Sequence, residues 1–179
     1  MPSTTSAEQL VEVRRRIERL RARALADDGV GALPRVRRRL DALQRAEASV
    51  HAASGDTAAD LDERLAQLRA RLDVAERSLE ADAAVEPASF AAAVQAELRT
   101  WDTYLERLQT DAAGRAWQAR ARAEAAIGDV RSRRLEVDER LAQARAAARA
   151  GWPAERRRVT AARDALEQKA DELSTALRR

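Results

Sequence analysis

Cysteine is absent from this chain of 179 residues, and histidine occurs once, as His51. The first absence removes disulfides, thiolate metal sites and cysteine nucleophiles together. The second removes serine–histidine triads and the paired Glu-x-x-His motifs with which helical bundles hold two metals. Ala48, three residues before His51, leaves no such motif even in part. No glycine-rich phosphate loop is present either, so no cofactor, metal or catalytic residue is expected. His51 lies near the end of a predicted helix, where it serves the last carbonyls.

Aromatic residues make up only 3% of the chain, so a broad globular core is excluded. The interior must instead consist of leucine and alanine layers between close-packed helices. No apolar run approaches the ~20 residues of a membrane span. The first ten residues lack the basic patch and apolar stretch of a secretory signal, and a cytoplasmic location is expected. Lysine is almost missing too: of 33 basic residues only Lys169 is one. Arginine and alanine at this level suggest the codon usage of a GC-rich bacterial genome, which accounts for part of the basic character.

What the chain has is a heptad seam. Leu10, Val13, Ile17, Leu20 and Ala24 step by three and four residues, as do Leu61, Leu65, Leu68, Leu72, Ala75 and Leu79. Such spacing lines one narrow helix face, which must be buried against other helices. The fold class is therefore all-α, an antiparallel helical bundle or coiled coil of about five helices. A capping box at Ser6 and Gln9 opens the first helix, which closes before Gly29 and Gly31. Pro34 starts a second, with a seam of Leu33, Val36, Leu40, Leu43 and Val50, and Gly55 ends it. Thr57 caps a third, which ends at Glu86-Pro87 because a residue before proline leaves the helical region.

From Pro87 no residue compels a stop before Gly151-Trp152-Pro153, so one long helix over about 88–149 is expected. Its seam runs Val94, Leu98, Trp101, Leu105, Leu108 and Ala112. It resumes at Ala116, Ala119, Ala123, Ile127 and Val130, and continues to Val137, Leu141, Ala144 and Ala148. Between Ala112 and Ala116 the step is four where three is due, a stutter that holds Gly114; Gly114 and Gly128 are the two places where the helix could break. The last helix opens at Pro153, with Val159, Ala162, Leu166, Ala170, Leu173 and Leu177 inward. Matched lengths and short loops near 28–33, 54–57, 84–88 and 149–153 predict two parts. Residues 1–114 form an antiparallel four-helix bundle; residues 115–179 form a basic antiparallel helical hairpin, the long helix shared between them.

Charge follows the same division. Residues 1–55 carry a net +4, residues 56–114 a net −7 and residues 115–179 a net +6. Arginine triplets recur at 14–16, 37–39 and 156–158, with Arg131, Arg133 and Arg134 nearby. Three consecutive helical residues splay over about 200° of circumference, so most are expected to form a salt-bridged solvated face. Adjacent acids such as Asp138 and Glu139 are expected to pair along the helix, as Glu136 with Arg140. Two seam positions carry charge, Glu47 and Arg134, and such charges can fix register or partner.

Trp117 follows a seam alanine and is displaced from the stripe by one position; it either flanks the core or projects as a binding anchor. Trp152 adjoins the hairpin turn and covers alanine-lined surface there. Candidate partner-binding residues are thus Trp117, Arg131, Arg134, Trp152, Arg156, Arg157 and Arg158. The expected function is a non-enzymatic adaptor or scaffold that binds protein partners, or itself as a homodimer, through coiled-coil faces. One alternative is a nucleic-acid-associated protein using the basic hairpin. Another is an accessory subunit of an enzyme whose catalytic chain is separate.

Overall fold

A computed structural model describes residues 4–26, 33–52, 58–147 and 149–176. All regular structure among them is helical: α1 (Thr4–Ala26), α2 (Leu33–Ala52), α3 (Ala58–Ala83), α4 (Pro87–Ala113), α5 (Trp117–Ala146) and α6 (Trp152–Ala176). A 3-10 turn at Arg149–Gly151 leads into α6. The all-α expectation holds, with six helices rather than five. Helix α1 begins two residues before the expected cap Ser6, while Thr57, Gly29, Gly31 and Gly55 lie outside the described residues.

The long helix over 88–149 does not exist. Gly114 closes α4, the Arg115 N–H donates to the carbonyl of Ala112 at 3.1 Å, and Ala116 sits in an extended conformation with ψ at 148° before α5 starts. The break falls at the stutter. It forfeits a few backbone hydrogen bonds, each worth about 1 kcal/mol net. In return the chain doubles back and lays the seam of α5 on that of α4, burying Ile127, Val130, Val137 and Leu141. Fully burying one such side chain contributes about 1.5–3 kcal/mol, so the turn wins. Antiparallel pairing shows in the partners: Gln95 with Arg145, Asp102 with Arg134, and Gln109 with Arg131.

The chain separates into two compact units, Met1–Ala83 and Ala84–Arg179. Within the second unit α4 packs along α5 and reaches α6 through Glu97 with Arg163 and Phe90 with Trp152. In the first unit α3 packs on both α1 and α2. Its core comprises Val13, Ile17 and Leu20 from α1, Leu43 and Val50 from α2, and the α3 seam from Leu65 to Leu79. The charged seam position Glu47 is met by Arg14, whose Nε donates to Oε1 at 2.8 Å. Arg16 bridges Asp73 at 2.6 Å and Glu76 at 2.8 Å; the bond to Glu76 is the main reason its guanidinium pKa rises above the ordinary value. Arg39 and Asp82 form a nearly buried pair at 2.7 Å.

The second unit buries Phe90, Val94, Leu98, Trp101, Leu105 and Leu108 of α4 against the inner faces of α5 and α6. Trp101 is a core plug, edge-on to Tyr104 at 5.8 Å. Near the middle of α4, Glu97 accepts a hydrogen bond from Arg163 Nε on α6 at 2.8 Å, both side chains 1% exposed. Seam alanines Ala116 and Ala119 are exposed because the break resets the stripe, which enters the core only at Ala123. The side chains of Ala24, Leu33, Val36, His51, Ala148 and Leu177 lie outside those described.

Candidate partner-binding surface

The seven candidate residues do not converge on one site. Trp152 and Arg156 sit where α6 begins, against the start of α4. The Trp152 ring meets Phe90 edge-on, centroids 5.4 Å apart, and the Arg156 guanidinium lies 5.0 Å from the same Phe90 centroid. Arg156 Nη1 also donates to the Val85 carbonyl at 3.5 Å. Both residues thus gather on Phe90 of α4. Arg158 pairs with Glu155 one turn back, and Arg157 is exposed, with no ion pair among the described residues.

Arg131 and Arg134 face α4. Arg131 donates to Gln109, and Arg134 bridges Asp102 at 2.8 Å and Asp138 at 3.4 Å. The charged seam position at 134 thus belongs to the α4–α5 contact: the stem packs while the head finds two carboxylates. Glu136 pairs with Arg133 instead of Arg140, which turns to Gln143. The basic surplus of residues 115–179 is partly offset within the unit. Helix α4 brings Glu97, Asp102, Glu106 and Asp111 against Arg99 and Arg107, and with Glu86 the second unit carries a net +3. A phosphate-binding stripe needs arginines that are not already matched by carboxylates.

Trp117 is different. It is the first residue of α5 and is 80% exposed. It heads a second stripe: Ala121, Ala125, Gly128, Ser132 and Leu135 follow at steps of four, four, three, four and three. Every one of these is exposed, as are Glu139, Ala142 and Ala146 beyond them. At 100° per residue the stripe runs along the side of α5 opposite to its buried seam. The outer face of α5 therefore sets two large apolar side chains, Trp117 and Leu135, on a run of small residues, all exposed. The spacing was legible in the sequence, but alanine, glycine and serine give a faint signal beside the leucine seam. Only Trp117 stood out.

Among the described residues no group of three or more His, Asp or Glu side chains could hold a metal ion. No described helix is long and apolar enough to cross a membrane. A shallow hollow of about 740 Å³ along α1, between Val11, Glu12, Arg15 and Glu18, has both charge signs and no convergent set of polar groups. Comparison with models of protein families, with characterised proteins and with solved structures gave no match.

Proposed function

We propose that the chain is a non-enzymatic helical adaptor or scaffold, binding protein partners or a second copy of itself through helix faces. The observation that carries this reading is the outer face of α5. Of four large apolar side chains left exposed in the described residues, two, Trp117 and Leu135, stand on that one stripe. Single exposed apolar side chains are ordinary; a stripe that repeats over the length of a helix is what helix-in-groove or coiled-coil recognition uses.

Affinity capture from the native cell, with and without nuclease, tests the proposal. Wild-type chain and the Leu135→Glu variant serve as baits. The reading expects a protein retained by wild type in both treatments and lost from the variant. Loss on nuclease treatment would contradict it. So would binding of the purified chain to duplex or single-stranded nucleic acid tighter than about 1 µM at physiological salt, beyond the usual non-specific range.

A further inference from the structure

We propose that two copies of the chain associate through the outer faces of α5, packed antiparallel about a two-fold axis beside residues 126 and 127. The inference builds on the adaptor reading above and names one occupant of the exposed stripe. Trp117 and Leu135 are 80% and 57% exposed and lie on the same face of α5. An antiparallel pair covers both at once in one register, with each Trp117 on the other copy's Leu135. Between those two contacts Ala125 meets Gly128, and Ala121 meets Ser132, of the second copy. Small residues on both sides allow the helix axes to come to the short end of the usual 8–10 Å separation.

Gly128 fits this contact and serves no need inside the unit. A Cβ built on it meets nothing within 4 Å, and its φ is not positive. Glycine weakens a helix interior, and at this open position it leaves room for a surface to approach closely.

Charge favours the same register. In an antiparallel pair each flanking position faces its own kind on the other helix. Arg122 then meets Asp129, and Glu124 meets Arg131, of the second copy; symmetry repeats both pairs. All four side chains are exposed; Arg131 also reaches Gln109 and Glu124 pairs with Arg120 in its own chain, so Arg122 with Asp129 carries the register. Sliding the helices by one heptad sets Glu124 against Asp138, and Arg131 and Asp129 each against its own counterpart. A parallel pair sets Glu124 against Asp129. Both leave like charges opposed, which is destabilising. One helix face per copy is smaller than the roughly 20–30 residues a side of a standard interface, which places this contact among the weak, reversible ones.

Sedimentation equilibrium of the full chain, at concentrations up to tens of micromolar, tests the inference. Wild type is expected to reach a two-chain mass. Leu135→Glu should raise the dissociation constant about 30-fold or more, as loss of an interface anchor does. Arg122→Glu should weaken association several-fold, and adding Asp129→Arg should restore it. All substitutions are at exposed positions, so an unchanged circular-dichroism melt confirms that the fold is intact. A one-chain mass for wild type overturns the inference while leaving the adaptor reading to the capture experiment. A dimer indifferent to Leu135→Glu overturns the seat on α5, and failure of Asp129→Arg to restore association overturns the register. Nucleic-acid binding by the dimer would instead defeat the adaptor reading alone.

Discussion

The two units solve the same packing problem with different surpluses. In Met1–Ala83 acids and bases balance to a net charge of zero, and arginines cross between helices: Arg14 to Glu47, Arg16 to Asp73 and Glu76, Arg39 to Asp82. The large apolar side chains described there are covered apart from Val11. In Ala84–Arg179 the inner faces are equally closed, with aromatic residues and a buried ion pair added, yet α5 keeps a second apolar stripe in solvent. A helix with one stripe is satisfied by its own unit. A helix with two has a face left over, and that is where interaction is to be sought.

The contrast between exposed and buried ion pairs gives the largest expected effect. Glu97→Ala removes the carboxylate from a fully buried ion pair and should cost about 3–5 kcal/mol in urea unfolding. Replacing both partners together, Glu97→Leu with Arg163→Met, should recover most of that loss. Glu47→Ala in the first unit, by contrast, breaks a pair with a half-exposed arginine and should cost no more than about 1 kcal/mol. Equal losses at Glu97 and Glu47 would erase the distinction drawn between these pairs.

Next comes the difference between covered and uncovered leucines. Leu72, fully buried in the α3 seam, should lose about 2–5 kcal/mol on truncation to alanine. Leu135→Ala should change the stability of the isolated chain by no more than about 0.5 kcal/mol, because its side chain is 57% exposed. Thermal melts at concentrations low enough to keep single copies would check both.

Gly128→Ala sharpens the same point with opposite sign. The position is open and helical, so alanine should stabilise the fold by about 1 kcal/mol. The same methyl group should weaken self-association, since it lies where the second copy comes closest. Gain in the melt together with loss in the sedimentation mass is the expected pair of results.

The smallest effect is electrostatic. A hydrogen bond from Lys169 at 2.7 Å holds the Glu172 carboxyl below its ordinary pKa of 4.5. A group with a lowered folded pKa stabilises the fold above its unfolded value and loses that contribution as pH falls through the folded one. The pair should therefore help at neutral pH and fade below about 4.5. Both groups are at the surface, so Glu172→Gln should alter the acid limb of a melting-temperature profile only slightly, and hardly at all in high salt.

Much of this architecture was legible because leucine at heptad spacing has one strong meaning. Proline at 34, 87 and 153 marked the starts of α2, α4 and α6 correctly. The break after Ala113 was harder to read. Glycine at 114 costs a helix only about 1 kcal/mol, so local propensity permits continuity; what decides is the tertiary burial of two seams that a turn makes possible. The pair of Glu97 and Arg163 was equally hidden, since each sits one position beside a seam residue and looks like a solvated charge. Trp117 was recognised as displaced from the seam, but the stripe it heads is built from residues that also occur wherever a helix is merely helical.

The most direct test of the outer face of α5 is a distance measurement between copies. Because the chain has no cysteine, a single one introduced at Arg133, exposed and off the proposed contact, or at Ala142, beyond its end, can carry a spin label without competition. Antiparallel packing about residues 126–127 predicts separations along the axis that grow with distance from that point. At 1.5 Å per residue they are about 20 Å for labels at 133 and about 46 Å for labels at 142. Equal distances at the two sites would mean a parallel pair, and no dipolar coupling at Arg133 at tens of micromolar would mean that this face is not where the chain meets itself.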